Sequence, residues 1–441
     1  MIKKFTQSFE NILLIIAVST FFILWDYKIY SIIDSRVIIM LPIIYYLLKK
    51  SFNLKIFNSP NIYPILFFSV FFHFILNVFF NNYNLISTEY LKAFLGFFFL
   101  LLLSLFYKKK ILKNLDYIVI FSLFIFSVSL LFSDIQKTDP AAFSNLINCH
   151  FFNYKFVNKL IFQENSHLAM VIPILFFYLL FKNNENYSFK NILISLYYIF
   201  ILFAFPSTTL IVNTIILISL YFYFDYKNFL KKFFLFLIII LALFSVVVLK
   251  KCNYKILNLK ETISDSINIQ NNLKKEKFND HLSYINNDHL SYINNIHEKY
   301  NTLPIQASFY KDFTVAVYVN SLKISVATLQ DHFFGYGINN YYKAFINYMG
   351  TKVIPPYREI YLLNYNDGSN NFAKLIVEFG IFSFFIIFLY FKYFFYTSDD
   401  KKNKFFMLGL ITIQFFRGAG YFNGGFLLIL IFIITDLYEK K

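Results

Sequence analysis

Only three arginines occur in 441 residues, Arg36, Arg358 and Arg417, against a large excess of lysine. A guanidinium is a rigid fork that pairs phosphate or carboxylate oxygens two at a time, so a scarce arginine marks a candidate anion site. Glu164 and His167 lie i, i+3 and share one face of any helix that contains them. A carboxylate beside an imidazole suits general acid–base work or the orientation of a hydroxyl, and it equally suits a capped helix start. His332 precedes the turn Gly335-Tyr-Gly337 and is a further candidate base or a solvated loop residue. Lys323 interrupts an apolar stretch, as does Lys311, and each could bind an anion. Glu378 and Asp367 are lesser candidates, and Tyr336, Tyr341 and Tyr342 offer ring faces on which a ligand could stack. His281, His289 and His297 recur every eight residues because DHLSYINN is duplicated over 280–287 and 288–295. A shared helical face needs a spacing of three or four, so no metal site is expected.

The elements that must hold these residues are helices in an apolar solvent. The chain is 58% hydrophobic, 22% aromatic and 15% charged, and its apolar runs recur along the whole length. Spanning hydrocarbon takes roughly 20 apolar residues as a helix, and backbone in lipid must pair internally. The expected fold is all-α and integral to a membrane, with about twelve spans near 9–25, 36–48, 62–80, 89–107, 115–133, 162–181, 190–205, 208–224, 232–249, 371–396, 404–416 and 420–437. Lysines cluster in every second connection: 49/50/55, 108/109/110/113, 182/190, 227/231/232 and 392/401/402/404. The positive-inside rule then places both termini in the cytoplasm and accounts for the net charge of +16 without a nucleic-acid partner.

Three regions follow: 1–249 with nine spans, 250–370 as a large extracytoplasmic loop, and 371–441 with three spans. Residues 253–304 of the loop are polar and low in complexity, while 305–350 hold an amphipathic helix over Phe309–Leu329 and then the glycine turn. That helix is too polar for a comfortable span and is expected on the membrane surface. Cys149 and Cys252 both fall on the outer side, where pairing is chemically open to them but no disulfide framework is implied. His73 and Lys92 are expected to be structural or interfacial.

Asp331-His-Phe-Phe-Gly335-Tyr-Gly337-Ile-Asn-Asn-Tyr341 resembles the glycine-turn signature of the O-antigen polymerase and ligase superfamily. Ser369-Asn-Asn-Phe-Ala-Lys-Leu-Ile-Val-Glu378-Phe-Gly380 resembles the start of that family's following span. Glu164-Asn-Ser-His167-Leu-Ala is similar to a family pattern in which proline usually stands at position 165, and Pro206-Ser-Thr-Thr209 to a polar outer turn. The resemblance covers roughly residues 160–437. Ligases of the group carry His-Asn where this chain has Ser369-Asn370, so the resemblance implies a Wzy-like polymerase and leaves its base unassigned. It implies transfer of a glycan from undecaprenyl pyrophosphate to a sugar hydroxyl of a second lipid-linked oligosaccharide, at the outer face of the bacterial inner membrane. It implies no cofactor and no metal; the partners would be membrane lipids and a chain-length-determinant protein. Arg358, Arg417, Lys323, Arg36 and Tyr341 would then bind substrate or pyrophosphate, and Glu164, His167 or His332 would handle the proton. A ligase acting on lipid A core and a lipid-linked oligosaccharide flippase are the alternatives. The flippase leaves the long loop without a purpose.

Overall fold

The computed structural model describes residues 2–23, 28–29, 33–34, 38–49, 62–81, 88–137, 154–157, 161–162, 165–183, 188–205, 207–249, 313–348, 367–398 and 400–439. These residues form an all-α fold with two short hairpins. The helices are α1 Ile2–Ile23, α2 Met40–Lys49, α3 Ile62–Asn81, α4 Thr88–Lys113, α5 Leu115–Leu130, α6 Asn165–Leu168, α7 Ile172–Lys182, α8 Phe189–Ala204, α9 Thr208–Phe224, α10 Tyr226–Lys231 and α11 Phe233–Leu249. After them come α12 Phe313–Asp331, α13 Tyr341–Tyr348, α14 Asn371–Phe379, α15 Phe382–Phe395, α16 Lys401–Phe416 and α17 Phe426–Glu439. The hairpins, which the sequence pattern does not announce, pair β1 Lys28–Ile29 with β2 Ile33–Asp34, and β3 Asp134–Lys137 with β4 Tyr154–Val157.

Among the described residues, one helix is long and apolar enough by itself to cross a membrane, over Leu91–Lys113. Nine other helices hold apolar stretches of 10–17 residues. The expected span 371–396 is two helices, because Gly380 turns the chain with φ 54°. The expected span 162–181 is also broken: the one-turn α6 leads through a turn into α7, whose first turn holds Pro173. The last helix starts at Phe426 rather than near 420, because Gly420, Gly424 and Gly425 all adopt positive φ. Arg36, Glu164, Arg358 and the segment 253–304, with its duplicated histidines, lie outside the described residues, as do Cys149 and Cys252.

The core is apolar and continuous through most helices. α7, α16 and α17 bury nearly their whole circumference, as with Phe176, Phe177, Phe405, Met407, Phe432 and Ile433. Around them, α3, α5, α8, α11 and α15 present large apolar residues outward, among them Phe68, Phe124, Leu196, Phe244 and Phe385. Many hydroxyl residues inside the helices return their O–H to the preceding turn or to a neighbour; Thr214, for example, bonds Leu210 O at 2.6 Å.

The lysine-bearing connections meet at one end of the bundle. Glu10 accepts from Lys49 at 3.1 Å and from Lys110 at 2.6 Å. Lys108 reaches Asp436 at 2.6 Å, and Lys182 reaches Asp116 at 2.6 Å. Lys232 donates to the carbonyls of Leu180 and Asn183, closing the C-terminus of α7. Lys404 does the same for α15 through Phe394 O and Tyr396 O.

Candidate functional site

At another part of the bundle the two glycine-bearing segments singled out in the sequence lock together, backbone to backbone. Tyr336 N donates to Val377 O at 2.9 Å, Gly337 N to Glu378 O at 2.8 Å, and Ile381 N to Phe333 O at 2.9 Å. Glycine is required at both sides of the contact. Gly335 has φ 75°, and a Cβ there would stand 2.6 Å from the Glu378 carbonyl and from Gly380 N. Gly380 would drive its own Cβ into Phe333 O. Side chains strain at such φ values, and packed backbone cannot yield to them.

The interlock holds α14 against a buried ion pair of its own making. Lys374 and Glu378, one turn apart, meet at 2.9 Å with side chains 3% and 0% exposed. Glu378 Oε1 also accepts from Tyr341 N at 3.1 Å, so the carboxylate closes the start of α13. The Lys374 ammonium lies 5.3 Å from the Tyr421 ring centroid and 5.9 Å from that of Tyr341. The Tyr421 hydroxyl approaches the same carboxylate without meeting hydrogen-bond geometry; burial, then the Glu378 charge, raises this phenol well above its usual pKa. Tyr341 is raised likewise by burial, then by Asp367 and Glu378.

Three further elements complete the region. Asn370 caps α14 by accepting from Ala373 N at 2.7 Å and donates to Ser321 Oγ of α12 at 2.6 Å. Ser369, itself at φ 67°, offers its carbonyl to Arg417 Nη1 at 3.3 Å and to Gly418 N at 3.2 Å. From α3, His73 Nε2 meets Phe334 O at 3.0 Å and its ring stacks on Phe379 at 4.7 Å. Several polar atoms here are buried without a hydrogen bond: His73 Nδ1, Tyr341 Oη, Ser369 Oγ, Asn371 Nδ2 and Glu378 Oε2. Each such atom costs about 1–3 kcal/mol, so their concentration in one place is unlike the rest of the core.

Beside the ion pair, an apolar cavity of about 220 Å³ opens between α3, α15 and α17. Leu375, Phe379, His73 and Tyr421 form its wall at the α14 end, and Phe385, Leu389 and Ile434 are among its other lining residues.

The expected site residues fare unequally. Arg417 is half-buried at the C-cap of α16 and joined to the α14 cap, as just described. His332 is half-buried with its ring 4.3 Å from that of Tyr336. Burial lowers its pKa, partly offset by Asp331. Lys323 is half-buried on α12, and burial lowers its pKa. His167 is half-buried in α6, and the chain after it passes Val171, which abuts Gly424. The expectation that Tyr341 stacks on a sugar is corrected: it is fully buried, with its hydroxyl against Gly368. Tyr336 is buried too, its hydroxyl accepting from Asn347 at 2.8 Å, and only Tyr342 of the three keeps part of its surface. The helix at 313–331 forms as expected, and Ser321, Ile324, Ser325 and Thr328 are its buried face.

Sequence reasoning underrated Lys374, Glu378, His73, Asn371 and Tyr421. The available signal was two opposite charges i, i+4 inside an otherwise apolar helix, which is costly unless they pair. Lys343 was also missed; it is half-buried on α13, and burial lowers its pKa to about 8.

No family model, no curated protein and no solved structure matches this chain.

Proposed function

We propose that this chain spans a membrane about twelve times and polymerises a polysaccharide from lipid-linked repeat units at the face opposite its lysine-rich end. One observation carries the reading. The two segments that resemble the polymerase and ligase superfamily, 331–341 and 369–381, interlock around a buried ion pair, next to Arg417 and an apolar cavity. Helices shorter than a full span fit this reading where they are broken by glycine turns beside a site, since irregular backbone within a membrane is tolerated when protein buries it. The outward apolar residues supply a lipid-facing surface, and the gathered lysines supply the cytoplasmic one.

The reaction joins a sugar hydroxyl to the anomeric carbon of the growing chain. The bond from that carbon to pyrophosphate breaks, undecaprenyl pyrophosphate leaves with the bond electrons, and the hydroxyl proton passes to a base. Balancing the charge of the departing pyrophosphate is the main demand. Arg417, Lys323 and Lys343 are the half-buried cations of the region, and Arg417 is fixed by its bond to Ser369 O. His332, whose pKa burial lowers, takes the proton. Lys374 and Glu378 are positioning residues that hold α13, α14 and the glycine turn in register. The apolar cavity suits a hydrocarbon tail whose headgroup sits at the α14 end. Arg36, Glu164 and Arg358 remain proposed contributors on sequence grounds alone.

The test is a deletion strain complemented with the wild type or Arg417→Ala, with surface polysaccharide resolved on a gel. The proposal expects the deletion to leave a single repeat unit on its acceptor, the wild type to restore the ladder, and Arg417→Ala not to. Polymer accumulating on the lipid carrier would instead make the protein a ligase. An unchanged ladder in the deletion would end the glycan reading.

A further inference from the structure

The lysine-rich end contains a polar cleft of about 440 Å³ where the ends of α4, α5, α7 and α16 meet. Lys109, Lys113, Asp116, Tyr178, Asp400 and Lys402 line it. Its carboxylates are already engaged. Asp116 accepts from Tyr178 Oη at 2.7 Å and pairs with Lys182 at 2.6 Å. Asp400 caps α16, accepting from Asn403 N at 3.1 Å and from Asn403 Nδ2 at 2.6 Å. Lys109 and Lys113 are exposed one turn apart on α4, where like charges repel, and Lys402 is exposed across the cleft. Counting Lys182, four ammonium groups face two carboxylates, a local surplus of two positive charges. The outer face of α5 continues from this point as an apolar stripe. Tyr117 follows Asp116 directly and is 63% exposed, and Ile120, Phe124, Val128 and Leu131 repeat at helical spacing.

We infer that this cleft binds the phosphate of an anionic phospholipid, with an acyl chain laid along the α5 stripe. Cations and stripe adjoin in the order in which a lipid presents its headgroup and its tail. An anion between Lys109, Lys113 and Lys402 relieves their mutual repulsion, and each such lysine adds to the attraction of an acidic leaflet. The site uses none of the residues around α14, so it rests on the membrane part of the proposed function and not on the polymerase part.

The experiment is native mass spectrometry of the delipidated full chain, titrated with phosphatidylglycerol or phosphatidylcholine. A Lys109→Gln/Lys113→Gln/Lys402→Gln variant is compared with a control, Lys190→Gln/Lys227→Gln/Lys231→Gln, whose lysines are exposed on α8 and α10 outside the cleft. Expected is preferential binding of phosphatidylglycerol, weakened at least about tenfold by the first variant and within twofold of wild type in the control. Equal loss in both variants, no loss in the first, or equal binding of phosphatidylcholine would overturn the inference. A parallel titration with inorganic phosphate separates the sources: displacement of the lipid at millimolar phosphate would assign the cleft to a soluble anion and refute the lipid. Unchanged thermal unfolding of the first variant is the check that it folds, and both substituted sets are exposed lysines.

Discussion

The lysine-rich end and the α14 region both contain ion pairs, but the pairs do different work. At the lysine-rich end, Lys49 and Lys110 are about 40% exposed and converge on one carboxylate, while Lys232 and Lys404 close helix C-termini. Water reaches Lys49 and Lys110, so little is lost when either is removed, whereas Lys232 and Lys404 are buried and satisfied by backbone carbonyls. Around α14, the Lys374–Glu378 pair is sealed from water, and unbonded polar atoms crowd beside it. A buried pair costs more desolvation than it returns unless its surroundings require it. Here the surroundings are the two interlocked glycine segments. The first region resembles ordinary anchoring; the second holds a backbone arrangement that packing alone would not select.

The largest test of that difference is Lys374→Met. It leaves Glu378 charged and alone, and should cost about 3–5 kcal/mol, read as a fall in thermal unfolding of the purified protein. Lys374→Met combined with Glu378→Leu should recover most of that loss while leaving glycan transfer impaired, since the Tyr341 N–H loses its acceptor. Recovery of both stability and activity would reduce the pair to packing.

Gly335→Ala or Gly380→Ala should follow, at about 2 kcal/mol or more each, because both positions combine positive φ with backbone contact. Gly96→Ala should cost less: its Cβ would meet only the end of the Phe422 ring, which can turn away. Limited proteolysis of the three variants orders them.

A pH effect should belong to the α14 side. Lys343 has a folded pKa near 8, below its unfolded value, so below pH 8 the fold carries the cost of burying its charge. That cost is relieved as pH rises from about 8 toward the unfolded value, while anion binding through the ammonium is lost over the same rise. Lys343→Arg should keep substrate binding above pH 8, measured as KM against pH. A profile identical to wild type would remove Lys343 from the site.

The smallest effect should be Lys49→Gln, below about 1 kcal/mol, since Glu10 keeps Lys110. A loss as large as that of Lys374→Met would erase the contrast between the regions.

Much of the frame was legible in the sequence because apolar length and lysine placement are one-dimensional signals. The helices at 62–81, 208–224 and 313–331 lie close to where the apolar runs put them, and lysines of several basic connections gather at one end. The break at Gly380 was not legible, since a lone glycine in an apolar run is compatible with a continuous helix until its partner, Gly335, is known. The site was legible only in part for the same reason. The turn at 335–337 and Arg417 stood out by residue type, whereas Tyr341 looked like a sugar platform and is core. His73 lies 261 residues from the carbonyl it meets, a pairing that no local pattern encodes.

The most direct measurement is polymer formation by the purified protein in nanodiscs, supplied with lipid-linked repeat units. Arg417→Ala is compared with Lys110→Gln, both at wild-type thermal stability. The account predicts that Arg417→Ala loses polymer by at least about a hundredfold, as removal of a charge-stabilising donor does, while Lys110→Gln polymerises normally. Normal polymer from Arg417→Ala, or loss confined to Lys110→Gln, would contradict the assignment of the chemistry to the α14 end.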